Sequence, residues 1–185
     1  QDFEKSLFLT VKYYGYSILR IPEKALFFRV GHAEVDDPAT VRKIGAVLLK
    51  TLKRKEYEGK IETVFIEGHT DSDPTGAGSI YASNWELSTQ RAINTWNVMK
   101  SGDNKELAEL KNNVVFLNKE GQKEYMHEYV FSCSGYGETR PIAPNDAMHK
   151  SQNRRIDIRF TMVPPVGDDS NIVKSVREGM LKNEK

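Results

Sequence analysis

Hydrophobic and polar positions change period several times along the chain, and each change marks an element. Val41, Ile44, Leu48 and Leu52 recur at helical spacing, the apolar stripe of an amphipathic helix. Asp36-Asp37-Pro38 precedes them, an acid suited to capping and a proline suited to the first turn, so the pattern predicts a helix over 38–55. Glu58-Gly59-Lys60 interrupts it. Residues 61–67 are rich in Val, Phe and Ile and read as a buried central strand that stops at Gly68. Ser83 and Glu86 then form a Ser-x-x-Glu capping box. Behind it Trp85, Ala92, Trp96 and Met99 are expected on the inner face of a second helix running to about Lys100. Tyr129 to Ser134 reads as a strand. In 153–162, Ile156, Ile158, Phe160 and Met162 alternate with Arg155, Asp157, Arg159 and Thr161, a half-buried strand with one polar face.

The remaining stretches are less regular. Ala25 to Val30 is a short strand candidate stopped by Gly31, and residues 1–20, crowded with aromatic and branched side chains, are expected to pair as an added hairpin or edge strand. Residues 101–128 are polar, with a helical signal at 105–111 and an apolar run at 114–117; they read as an elaborated connection. After Pro164-Pro165, the spacing of Ile172, Val173, Val176, Met180 and Leu181 suggests an amphipathic tail helix. The expected division is an arm at 1–20, a domain at 21–163, and a linker with helix at 164–185. Strand, helix, strand, helix, strand, strand predicts an α/β (α+β) two-layer sandwich with helices on one face of a mixed sheet.

Composition narrows the function. Lys plus Arg (27) nearly cancels Asp plus Glu (26), which argues against a nucleic-acid footprint. The single cysteine, Cys133, excludes an intrachain disulfide and a thiolate metal cluster, and its strand-like surroundings suggest a buried free thiol. No run of about 18 apolar residues occurs. The chain begins at Gln1 rather than Met, so the expectation is a missing upstream segment that would carry any membrane anchor. His69, Asp71 and Asp73 stand at alternate positions, but no second cluster has metal-ligand spacing, and no Gly-x-Ser-x-Gly elbow is present. A binding domain without cofactor or metal is expected, not an enzyme.

The candidate chemistry lies where the central strand gives way to the second helix, at Gly68-His69-Thr70-Asp71 and at Ser83 to Ala92. Asp71 can accept from an ammonium, and Arg91 offers a planar fork of donors matched to a carboxylate. Together in a crevice they would hold a zwitterion such as a free amino-acid head. The alternative is that the two form an ion pair that merely steadies loop against helix.

The motifs Gly-His-Thr-Asp at 68–71, Ser-Asn-Trp-Glu-Leu-Ser at 83–88 with Arg91-Ala92, Gly-Tyr-Gly-Glu-Thr-Arg-Pro at 135–141 and Asn153-Arg154-Arg155-Ile156 occur in an order that resembles the OmpA-like peptidoglycan-binding domain. The second motif is most similar to the periplasmic domain of MotB-type stator proteins, flagellar or of the Zorya phage-defence kind. The resemblance implies non-covalent binding of the peptidoglycan stem peptide. In that family an Asp and an Arg at the positions of Asp71 and Arg91 hold the ammonium and carboxylate of meso-diaminopimelate. It further implies that Thr70, Asn84 and Leu87 shape the loop or touch the stem, and that Arg154 and Arg155 line or buttress the site. A periplasmic location, a homodimer, and a membrane-embedded stator partner reached through an upstream transmembrane helix would follow. The departures are a long stretch between Asp71 and Asn84, where Asp73 could compete for the ammonium, and the long connection 101–128. A protein-interaction or dimerisation module with a vestigial site is the other reading.

Overall fold

The structure, a computed structural model, describes residues 9–13, 16–23 and 28–162; the expected tail helix lies outside them. Nine elements follow in chain order: β1 (Leu9–Tyr13), β2 (Tyr16–Pro22), α1 (Pro38–Leu52), β3 (Ile61–His69), α2 (Asn84–Met99), β4 (Lys111–Leu117), β5 (Lys123–Tyr129), β6 (Phe131–Gly135) and β7 (Arg155–Met162). Short 3-10 turns at Lys55–Tyr57, Gly102–Glu109 and Lys150–Gln152 join them. Five strands form one sheet in the order β1-β2-β7-β3-β6, and β4 pairs with β5 as a separate ribbon. Among the described strands only β3 and β6 pair in parallel, so the sheet is mixed, as expected. Among the described residues no helix is long and apolar enough to cross a membrane.

Local chemistry sets the helix starts. The Asp37 carboxylate accepts from the Thr40 N–H at 3.1 Å and from the Thr40 hydroxyl, ahead of Pro38 in the first turn of α1. Ser83 Oγ accepts from the Glu86 N–H at 3.3 Å, and the Glu86 carboxylate reaches back to the Ala82 N–H at 2.8 Å, so donors at the start of α2 are satisfied from both sides.

Strand alternation then decides what each face of the sheet carries. Val64 and Ile66 of β3 and Ile156 and Ile158 of β7 are fully buried in the core with Val41, Ile44 and Leu48 of α1 and Ala92 and Met99 of α2. The intervening residues, Glu67 and His69 opposite Asp157 and Arg155, project from the face away from the helices. That face reads in sequence as polar, yet Arg155 and Asp157 are buried. Cross-strand ion pairing accounts for this: Arg20 on β2 reaches Asp157, and Arg159 reaches Glu67.

Helix α2 approaches the sheet over two glycines. A Cβ on Gly68 would lie 1.9 Å from the Ser88 carbonyl oxygen, and one on Gly135 would lie 2.2 Å from Thr89 Oγ1. Contact at that distance needs small side chains on the helix, and those at the two glycines are Ser88 and Thr89; the buried positions of α2 as a whole are Leu87, Ser88, Arg91, Ala92, Thr95 and Met99. Trp85, expected on that face, is instead 49% exposed, because its bulk could not enter a contact filled by Ser88. Trp96 stacks on Phe131, with ring centroids 4.5 Å apart.

Two further expectations differ from the structure. Of the strand expected at 25–30, residues 24–27 lie outside the described set, and Phe28 to Gly31 form loop and turn. The place beside β7 is taken by β2, which pairs with it from Tyr16 to Pro22. Strand β2 thus runs across the boundary expected between residues 20 and 21, with Ile18 and Ile21 buried. The connection 101–128 contains the β4–β5 ribbon. All seven residues of β5 are exposed, so no apolar alternation announces it.

The glycine contact yields a direct expectation. Gly68→Ala forces a methyl group into the α2 backbone and should cost at least about 1–3 kcal/mol, the range for overpacked interiors. A lower urea midpoint with unchanged slope would register it; an unchanged midpoint would mean that α2 sits further from the sheet than described.

Candidate functional site

The crevice opens where β3 ends, between the loop 70–75, the start of α2 and the residues entering β7. It encloses about 190 Å³, and its walls include Thr70, Asp71, Asn84, Leu87, Arg91 and Arg154. Six of the seven residues singled out from sequence therefore meet there. Leu87 supplies a buried apolar wall.

Backbone hydrogen bonds fix the loop before any side chain acts. The Thr70 N–H donates to the Gly137 carbonyl at 2.9 Å, and the Tyr136 N–H to the Gly68 carbonyl at 3.0 Å. The Gly137 N–H donates to Ser88 Oγ at 2.9 Å, which ties the turn after β6 to α2. Asn84 Nδ2 donates to the Asp73 carbonyl at 2.9 Å and to the Asp71 carbonyl at 3.4 Å, so Asn84 binds the loop to the first turn of the helix. Asp71 Oδ1 accepts from the Asp73 N–H at 3.0 Å, a side-chain turn that orients the carboxylate. Asp73 itself pairs with Lys150 and so is not a free competitor of Asp71.

The charges form a chain rather than a pair. Asp71 Oδ2 accepts from Arg154 Nη1 at 2.6 Å, Arg154 Nε donates to Glu23, and Glu23 Oε1 lies 3.8 Å from Arg91 Nη1. The sequence runs Arg91, Glu23, Arg154, Asp71, with Glu23 and Arg154 between the two ends. A direct Asp71–Arg91 ion pair, the alternative left open above, is not what joins loop to helix. Arg91 is 2% exposed. Its Nε donates to the His32 carbonyl at 2.9 Å, its Nη2 to the Arg29 carbonyl at 3.2 Å, and its guanidinium carbon lies 4.9 Å from the centre of the Phe28 ring. The irregular backbone at 28–32 therefore has a use: its carbonyls, outside any sheet ladder, hold Arg91, the Arg29 carbonyl while also accepting from the His32 N–H at 3.0 Å. Burial lowers the Arg91 pKa from its usual value, against the opposing field of Glu23, while the group remains a cation.

Unsatisfied atoms remain at this site. Thr70 Oγ1 and Glu23 Oε1 are buried without a hydrogen-bond partner among the described residues. With the spare N–H groups of Arg91 and Arg154 and the Asp71 carboxylate, the site has acceptors for a cation and donors for an anion within one cavity.

Glu23 is the residue that sequence reasoning missed. It follows Pro22 at the end of β2, 131 positions from Arg154, and no motif or periodicity marks it.

Arg155 does not join the crevice. Adjacent residues of a strand point to opposite faces, and where Arg154 turns to Asp71, Arg155 donates from Nε to Asp157 at 3.0 Å and from Nη2 to the Arg140 carbonyl at 3.1 Å. Of the two roles expected of it, lining or buttressing the site, this placement excludes the lining one. Asn153 completes the motif by accepting from the Ile142 and Ala143 N–H groups at 2.8 and 3.0 Å, which pins the loop before β7. His69 lies with Arg155 on the outer face, away from Asp71. Among the described residues no group of three His, Cys, Asp or Glu could hold a metal ion. Cys133 is partly buried against the Ala92 carbonyl, and burial pushes its thiol up to about 11.

Comparisons with known proteins bear on this arrangement. The profile of the OmpA family matches residues 27–155. Over 121 residues the chain is 31% identical to Motility protein B of Bacillus subtilis (strain 168), covering 65% of this chain and 38% of that protein. This chain spans half or less of the length of the curated relatives it matches. In fold it is similar to the periplasmic domain of Helicobacter pylori MotB, with a TM-score of 0.60 at 23% identity over 96% of this chain and 91% of that one. It is also similar to the cell wall anchor of the T6SS from Pseudomonas aeruginosa, with a TM-score of 0.56 at 21% identity over 88% and 92%.

Burial, reinforced by the neighbouring charge of Arg155, lowers the His69 pKa from 6.5 to about 3. The unfolded chain therefore binds a proton between those values that the folded chain refuses. Stability should fall as pH drops from about 6.5 toward 3, by about 1.4 kcal/mol per unit from this one group. Urea titrations of the native chain and His69→Gln across that window test this. The variant should show a shallower pH dependence; parallel curves would mean that His69 takes up its proton in the folded state.

Proposed function

From the premise that this chain belongs to the OmpA family, we propose that it binds the peptide stem of peptidoglycan non-covalently, gripping the zwitterionic head of a meso-diaminopimelate side chain in the crevice. The ammonium is received by Asp71 with Glu23 beside it, and the carboxylate by the spare donors of Arg91 and Arg154. One observation carries the reading: the alternation of charge Arg91, Glu23, Arg154, Asp71, whose buried ends Arg91 and Asp71 line the crevice with half-buried Arg154 while Glu23 links the two arginines from behind, with Thr70 Oγ1 and Glu23 Oε1 unsatisfied among the described residues. A phosphate would meet two carboxylates there, and a purely cationic ligand two guanidinium groups. A ligand with both charges at amino-acid spacing meets complementary partners at each end.

The anchoring role follows from this chemistry and from the relatives. A domain that holds the cell wall without cutting it tethers whatever it is attached to, and the likeness to MotB proteins supports a membrane-bound complex of the stator type with this domain in the periplasm. The reading is of binding, not catalysis.

A second reading, an interaction or dimerisation module, is favoured by the β4–β5 ribbon. Tyr125 and Tyr129 are 66% and 60% exposed on one face of it and Met126 is 52% exposed on the other, apolar side chains that wall binding does not use.

Co-sedimentation with insoluble peptidoglycan sacculi tests the main reading. Asp71→Ala and Arg91→Ala should each bind at least ten-fold more weakly, since a hydrogen bond to a charged group contributes about 1.5–3 kcal/mol. Circular dichroism establishes that each variant is folded. Folded variants that bind as the native chain does would move the site out of this crevice.

A further inference from the structure

The face of the sheet away from the helices has a cavity of its own, and the crevice does not use it. It encloses about 440 Å³ above the middle of β2, β7 and β3, and it is lined by four guanidinium groups, Arg20, Arg140, Arg155 and Arg159, against two carboxylates, Glu67 and Asp157.

Hydrogen bonding on this face leaves an excess of donors. Glu67 Oε1 accepts from Arg159 Nε at 2.9 Å, from Arg159 Nη2 at 2.6 Å and from the Tyr136 hydroxyl at 3.0 Å. Asp157 accepts from Arg20 at 3.0 and 3.2 Å and from Arg155 at 3.0 Å. Glu67 is thus engaged through Oε1 and Asp157 through both oxygens, while each guanidinium carries five N–H groups and uses only some of them; Arg155, which donates from Nε, Nη1 and Nη2 to Asp157, Asn153 and Arg140, keeps two. Arg140 makes no ion pair among the described residues. Its guanidinium carbon lies 3.7 Å from the centre of the Tyr136 ring, which fixes the plane of the group and leaves its edge available.

His69 supplies the independent sign of a ligand. It is 2% exposed, lines the cavity, and stacks on Tyr136 with ring centroids 5.3 Å apart. Both of its ring nitrogens lack a hydrogen-bond partner; Nε2 is 3.6 Å from Asp157, too far for a hydrogen bond. A buried imidazole with neither nitrogen satisfied is costly, and here it borders a cavity whose remaining polar groups are donors.

We propose that this face is a second binding site, for a phosphate or carboxylate oxyanion, in which Arg140 closes over a group held by the spare donors of Arg155 and Arg159 and by the His69 ring N–H. Four guanidinium groups facing two carboxylates leave room for an anion of up to two negative charges. Ile18, Pro141 and Ile142 at the same cavity accommodate an organic body bearing that anion. The site is separate from the Asp71 crevice and does not depend on the reading given to it.

The test uses the full chain, with inorganic phosphate and acetate titrated in turn at constant ionic strength and the His69 ring resonances followed by NMR. A saturable shift is expected with at least one anion, weakened at least ten-fold in Arg140→Gln and partly restored in Arg140→Lys. Arg140 is exposed and makes no ion pair among the described residues, so both variants should fold, as circular dichroism would register, and should interact with sacculi to the same extent as the native chain. Tighter saturation by phosphate assigns the site to phosphate-bearing polymers or headgroups, and tighter saturation by acetate assigns it to acidic peptides or sugars. A drift that never saturates with either anion, or saturation unchanged in Arg140→Gln, would overturn the proposal and leave the arginines a structural network only.

Discussion

The close seating of α2 on Gly68 and Gly135 is the constraint from which the rest of the site follows. Without a Cβ at either position, the helix backbone comes to rest on the sheet, and Ser88 can receive the Gly137 N–H. That contact sets the depth of the whole helix. Asn84 then reaches the carbonyls of the loop after β3, and Arg91, two turns further on, lies deep enough that backbone carbonyls at Arg29 and His32 become its partners. The polar site is in this sense a product of apolar packing.

The second organising fact is that the site's charges are shared among neighbours. Arg154 sits between Glu23 and Asp71, and Glu23 between Arg154 and Arg91. Each buried or half-buried charge has an opposite neighbour, which offsets the penalty of removing it from water, yet no member is saturated. A zwitterion can enter such an arrangement by exchanging partners, without exposing an isolated charge at any step.

Helix starts, the central strand and the alternation of β7 were legible because each is written in local pattern: Asp37 before Pro38, Ser83 before Glu86, Ile156 and Ile158 between Arg155 and Asp157. The crevice residues were legible through ordered motifs. What escaped was decided by tertiary geometry. Trp85 looks apolar and inward, but the glycines of the sheet select the face bearing Ser88 and Ala92. The polar side of β7 looks solvated, but Arg20 and Glu67, distant in sequence, neutralise it across the strands. Strand β5 is exposed on both faces and so shows no apolar period. Glu23 has no local signature and acquires its place only when β2 docks beside β7.

The position of Glu23 ties two equilibria together. Its N–H donates to the Arg154 carbonyl at 3.0 Å, so the β2–β7 ladder continues without a break into the crevice, and the same two residues meet again through their side chains. A ligand that grips Arg154 therefore shares free energy with the pairing of β2. Reciprocity requires that whatever factor ligand occupancy adds to the docking of that strand, strand docking returns to the affinity for ligand. On the reading proposed for the crevice, the docking of β2 and the occupancy of Arg154 respond as a single thermodynamic unit.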